Sequence, residues 1–94
     1  MIEEGRVIAI RMTAGKPVLA RHIELLWWYK GGKEVVSSRD QMVGNVGNSP
    51  KGAYFTNEGG QRANLYVASY GADQWVETEP DQTKVNNLLS LPRR

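Results

Sequence analysis

The 94-residue chain has no cysteine, only one histidine and one phenylalanine, and no stretch near the ~20 consecutive apolar residues of a membrane-spanning helix. Without cysteine there are no disulfide staples, thiolate metal ligands or thiol nucleophiles, which fits a reducing compartment. A one-sided charge is lacking too. Lys and Arg number 12 against 10 Asp and Glu, a net charge of +2, which is too small for the clustered basic face that duplex DNA demands. The opening Met1-Ile2-Glu3-Glu4 is acidic where a secretion signal would be basic and then apolar. These absences lead to the expectation of a cytoplasmic protein with no cofactor, no metal and no membrane partner.

What is present suits one small folded domain spanning residues 1–94. Hydrophobic residues make up 40% of the chain, and Leu, Ile, Val and Phe together just over a fifth. That is enough for a single core at this length, with about two-thirds of the unfolded surface buried. The charge is bipolar. Residues 1–62 carry nine basic and six acidic side chains, whereas residues 63–92 carry one and four.

Apolar and polar residues alternate over residues 5–13, placing Ile8, Ile10 and Met12 on one face and Val7, Ala9 and Arg11 on the other. Ala14-Gly15-Lys16-Pro17 reads as a turn, followed by a second strand over residues 22–29. There Ile23, Leu25, Trp27 and Tyr29 share one face, opposite His22, Glu24, Leu26 and Trp28. Gly31-Gly32 breaks the pattern. A serine cap then opens a short helix, either Ser37 with Asp40 or Ser38 with Gln41, whose apolar stripe is Met42, Val43 and Val46 and whose end is Gly47 in the left-handed conformation.

Residues 53–57 and 62–69 read as strands joined by the glycine-rich turn Glu58-Gly59-Gly60-Gln61, with Ala63, Leu65 and Val67 facing the core. Tyr70-Gly71-Ala72-Asp73 is a further turn, leading to a fifth strand over residues 74–78. Residues 44–52, with three glycines and a proline, read as a loop inside the domain, and the apolar tail of residues 85–92 packs back on it. The expected class is α+β, mostly β: a curled antiparallel sheet of about five short strands, a small open barrel, with one short helix.

Several of these strings together resemble a known family. Ile8-Ala9-Ile10-Arg11-Met12, His22-Ile23-Glu24-Leu25-Leu26-Trp27, Ser38-Arg39-Asp40-Gln41-Met42 and the closing Asn86-Asn87-Leu88-Leu89-Ser90-Leu91-Pro92 are similar to motifs of the domain of unknown function 3892, found in bacteria and their phages. The likeness covers nearly the whole chain, the C-terminal motif being the most specific. The chain departs from the pattern in its Trp27-Trp28-Tyr29 run and in the glycine-rich insertion at residues 44–52. The resemblance implies a single-domain fold and, from its setting in phages and mobile elements, an inhibitor or counter-defence role. It carries no activity to particular residues, and fold alone supplies none.

Catalytic patterns are weak throughout. His22 has no carboxylate at i+4, so a hydrogen-bonded strand histidine outweighs a ligand. None of the serines sits in a nucleophile elbow. Glu77, Glu79 and Asp81 alternate and could pair for acid/base work, but a solvated edge strand explains them more simply. Gly31-Gly32-Lys33 fails as a phosphate loop, since Trp27 stands at the first glycine position and Glu34 where Ser or Thr would bind magnesium.

Trp27-Trp28 is the more informative feature, because neighbours on a strand point to opposite faces and both cannot enter one core. With Trp27 inward, Trp28 and Leu26 join Arg11 outside, alongside Tyr66, unless the tail of Leu88, Leu89 and Leu91 covers Trp28. The expected function is therefore a non-enzymatic binding module capturing a protein or small ligand, with self-association as a further option. Its binding residues are Arg11, Trp28, Tyr29, Arg62 and Tyr66, the aromatics by burial or stacking and the arginines by pairing to carboxylate or phosphate. The alternative is a small β-barrel for single-stranded nucleic acid or a nucleotide, adding Lys30 and Lys33 as phosphate contacts.

Overall fold

A computed structural model describes residues 4–58, 60–79 and 88–94. Six strands and one α-helix follow in the order β1 (Val7–Met12), β2 (Ile23–Lys30), β3 (Lys33–Ser38), α1 (Arg39–Gly47), β4 (Phe55–Glu58), β5 (Gln61–Tyr70) and β6 (Asp73–Thr78), with a short 3-10 turn at Ala20–His22. They form two three-stranded antiparallel sheets, β1-β2-β3 (sheet 1) and β4-β5-β6 (sheet 2). The mostly-β, one-helix expectation holds at that level. The single curled five-strand sheet does not: among the described residues there are six strands in two sheets, which meet at a parallel bridge, Arg6 with Phe55.

The added strand is β3, which sequence patterning passes over because only Val35 and Val36 are apolar in it. It lies at the edge of sheet 1, where charged and polar residues are tolerated and protect against edge pairing. Gly31 and Gly32 join it to β2 with φ of +59° and +79°, a two-residue turn with both residues left-handed and the twist that a tight hairpin needs. The helix start resolves in favour of Ser38. Its hydroxyl accepts from the Gln41 N–H while the Gln41 side chain accepts from the Ser38 N–H, a complete capping box. Ser37 is unavailable, since its hydroxyl takes the Trp28 indole N–H. The helix runs through Gly44 and Gly47, so the loop expected at residues 44–52 begins only after Gly47. Gly47 has no positive φ, and Asn48 closes the last turn by donating its side-chain amide to the Gly44 carbonyl.

One hydrophobic cluster joins both sheets and the helix: Val7, Ile10, Ile23, Leu26 and Trp28 from sheet 1, Leu65 and Val76 from sheet 2, and Met42 from α1. Ala63 and Leu65 are buried as read from the sequence, whereas Val67 is only half-buried. Leu88 and Leu91 belong to the same cluster, and the tail is tied to the outer edge of β1 by Ile10 N–H to Pro92 O and Arg94 N–H to Ile10 O, at 3.0 and 2.9 Å. The tail residues before Leu88 lie outside the described residues. Among the described residues, no helix is long and apolar enough to cross a membrane.

The faces of β1 and β2 follow the sequence expectation only in part: Ile10 and Ile23 point inward as read, but Ile8, Leu25 and Trp27 do not, and the pairing shows why. Val7 opposes Trp28 and Ala9 opposes Trp27, so β1 takes two steps where β2 takes one, leaving Ile8 as the extra residue of a bulge. Arg11 opposes Leu25 and Met12 opposes Ile23, a second irregularity with the extra residue, Glu24, on β2. Residues three apart, Val7 with Ile10 and Ile23 with Leu26, therefore both point inward. Trp28 is core, at 6% exposure, and Trp27 turns outward.

Candidate functional site

The outward face of sheet 1 gathers the features expected of a binding surface, around Trp27 instead of Trp28. The ladder places Ala9, Trp27 and Val36 in one row, Arg11 and Leu25 in the next, and Tyr29 with Glu34 on the other side. Ala9 is fully covered, and its small side chain leaves room for the indole beside it. The guanidinium carbons of Arg11 and Arg94 lie 5.6 and 5.5 Å from the Trp27 ring centroid, within cation–π range. Arg11 is fixed by its Nε–H to the Arg94 backbone oxygen at 2.8 Å, and Arg94 by its pair with Glu34 at 2.6 Å. Val36 stays 49% exposed beside them. Leu25, Trp27, Tyr29 and Val36 thus form a half-open apolar strip framed by two arginines and one glutamate.

A second concavity, of about 440 Å³, opens on the inner side between the β2–β3 hairpin and α1. Trp28, Tyr54 and Val35 line it, with Ser37, Glu4 and Lys30 nearby. The Trp28 and Tyr54 rings meet edge to face, centroids 5.1 Å apart and planes at 76°. Several of its polar groups are already engaged. Trp28 donates to Ser37 at 3.0 Å, Gln41 serves the helix cap, and the Glu4 carboxylate accepts the Gly31 N–H at 2.7 Å. This corner holds the hairpin and the helix together.

The five residues singled out from the sequence do not form one surface. Arg11 and Tyr29 share the outward face of sheet 1; Trp28 lies beneath it in the core. Arg62 and Tyr66 belong to sheet 2, so Tyr66 is not on the Arg11 face as first read. The Arg62 guanidinium stacks 3.7 Å over the Phe55 ring and donates to the Gly52 carbonyl at 3.1 Å. The Tyr66 hydroxyl donates to Glu77 at 3.0 Å, and its pKa is raised above 10.0 by desolvation first and by the Glu77 hydrogen bond and charge second. Lys30 and Lys33 flank the glycine turn at one end of sheet 1.

Sequence reading missed Trp27 and Arg94. The apolar spacing of the tail was the available signal, since Leu88 and Leu91 needed an inner face to cover.

His22 sits in the 3-10 turn, not in β2, and its Nδ1–H donates to the Pro17 carbonyl at 2.9 Å. Glu79 pairs with Lys51 at 2.9 Å and Glu77 holds Tyr66, while Asp81 lies outside the described residues. Among the described residues, no three His, Asp or Glu side chains gather as a metal site would require.

No protein-family model matches the chain, and neither a curated protein nor a solved structure matches it. The resemblance to the domain of unknown function 3892 rests on the quoted motifs alone.

Proposed function

We propose that this protein is a small non-enzymatic binding module that captures an acidic protein partner in the cytoplasm through the outward face of sheet 1. The observation that carries this reading is Trp27, held on that face between Arg11 and Arg94 and flanked by Leu25, Tyr29 and an exposed Val36. Tryptophan and arginine are the residue types that most often dominate interface energetics, and the arginine fork pairs carboxylates in two-point fashion. Glu34 orients Arg94, and the two guanidinium groups beside Trp27 favour a partner that offers carboxylates between apolar side chains. An inhibitor or counter-defence task in phages or mobile elements is the setting that the family resemblance implies.

Single-stranded nucleic acid or a nucleotide is the competing reading. Lys30 and Lys33 support it, since both lie at the hairpin end of the same sheet without an ion-pair partner among the described residues. Titration with a peptide alternating Glu and Leu, and separately with a short oligothymidine, separates the two through the indole N–H signals of the three tryptophans. The peptide should shift Trp27, and Trp27→Ala should weaken its binding by about tenfold or more, the ~1.4 kcal/mol of one interface anchor. Unchanged peptide affinity in Trp27→Ala overturns the reading. Oligothymidine binding that falls steeply with salt transfers it to nucleic acid.

A further inference from the structure

Strand β3 leaves one edge of sheet 1 open, and the parity of the β2–β3 hairpin decides which of its backbone groups are free. In a two-residue turn the flanking pair, here Lys30 with Lys33, exchanges both backbone hydrogen bonds, and bonded residues then alternate along the strand. Lys33, Val35 and Ser37 therefore bond to β2, while the N–H and C=O groups of Glu34, Val36 and Ser38 point the other way. The Ser38 N–H agrees, since it turns to the Gln41 side chain in the helix cap. Glu34 and Val36 keep two amides and two carbonyls with no backbone partner among the described residues. The opposite edge of the sheet is closed, because the tail bonds to Ile10 of β1.

Two further observations lie along that edge. The concavity of about 440 Å³ is lined by Val35 and Val36 together, although neighbours on a strand point to opposite faces, so it reaches the outer edge of β3. On its side of the sheet Lys30 and Lys33 stand directly opposite one another, a like-charge pair with no carboxylate partner among the described residues. Glu4, which lines the same concavity, accepts the Gly31 N–H instead. We propose that the acidic partner docks as an extended segment that adds a fourth strand to sheet 1 along β3, its apolar side chains beside Val36 and its carboxylates turned to Lys30 and Lys33. This rests on the proposed function and specifies how that face holds its partner. An extended backbone offers donors and acceptors at the two-residue repeat that Glu34 and Val36 present. Side chains on one face of the added strand continue the row of Ala9, Trp27 and Val36, and those between them turn to the lysine pair. Lys33 discourages neutral strands from this edge and favours a segment that places Glu or Asp beside it.

Amide exchange read by NMR tests this, with the alternating Glu–Leu peptide as probe. Saturating peptide should slow exchange of the Glu34 and Val36 N–H by about tenfold or more, since both gain a bond, and should leave the Val35 N–H, already bonded to β2, little changed. Val36→Pro provides a second arm. The N–H it removes faces away from β2, so the sheet keeps its bonds, which circular dichroism verifies, while an added strand loses a donor and meets the proline ring. Peptide affinity should fall by about tenfold or more. Val36→Thr keeps the amide and the branched shape and should bind nearly as the wild type does. A Lys–Leu peptide should bind more weakly than the Glu–Leu peptide.

Bound peptide with unprotected Glu34 and Val36 amides overturns the proposal, as does a folded Val36→Pro that binds like the wild type or a Lys–Leu peptide that binds as tightly as Glu–Leu. Should Val36→Pro unfold, the exchange result decides. The function reading is separable from this. A peptide that shifts Trp27 and depends on it, yet leaves both amides unprotected, sinks strand addition alone, and no peptide binding at all sinks both.

Discussion

Two adjacent tryptophans carry different burdens, and their substitution should separate stability from binding. Trp28 is 6% exposed, fills the cluster shared by both sheets and has its indole N–H satisfied by Ser37. Trp28→Ala removes that volume and leaves the Ser37 hydroxyl without its donor, so unfolding in urea should show a loss of about 3–5 kcal/mol. For a domain of this length that is a large part of the whole stability. Trp27→Ala removes a half-buried ring with two exposed cation–π contacts and should cost only about 1 kcal/mol. Equal losses for the two would contradict the assignment of faces. That assignment was not legible from alternation, because period-two reasoning has no place for an extra residue. Ile8 and Glu24 each add one: Glu24 exchanges the tryptophans relative to Ile23, and Ile8 brings Val7 inward.

Turns and caps at the scale of the element were legible where their chemistry is local. The tight connection from Tyr70 to Asp73 needs only residues within a few positions of one another, as does the Ser38–Gln41 box, one of the two caps the spacing allowed, whereas Gly31-Gly32 read as a break in the pattern and not as a hairpin turn. Strand β3 was not, since an edge strand with Lys33, Glu34, Ser37 and Ser38 has little burial to advertise it. The junction of the sheets was hidden for a similar reason, as it depends on Gly5 meeting a segment some fifty residues away. Gly5 donates to Tyr29 O and accepts from Phe55 N–H, at 2.9 and 3.2 Å, with φ of +86°. A Cβ there would collide with the Ala53 carbonyl. Gly5→Ala should therefore destabilise by more than about 2 kcal/mol, from left-handed strain plus the clash. Gly32→Ala, at φ of +79° with open space around it, bears the strain alone and should cost about 1–2 kcal/mol. If urea midpoints rank the two variants in the reverse order, the close approach between the sheets is wrong.

Across the whole molecule the tail couples the fold to the candidate site, because one short segment supplies both core and surface. Leu88 and Leu91 enter the common cluster at 0% and 2% exposure, and Pro92 and Arg94 clamp the Ile10 backbone at the edge of β1. That clamp sets Arg94 over Trp27, where Glu34 holds it. On the proposed reading, binding through this face draws on a docked tail, and the two roles can be taken apart one residue at a time. Leu91→Ala should cost about 2–4 kcal/mol in urea, the price of a cavity at a fully covered site. It should also weaken the Glu–Leu peptide, since a looser tail presents Arg94 less often. Arg94→Ala removes an exposed ion pair and one cation–π contact, so stability should change by less than about 1 kcal/mol while peptide affinity falls. If Arg94→Ala leaves peptide binding at the wild-type level, the tail serves the core alone, and the binding face must be carried by Arg11 and Trp27 without it.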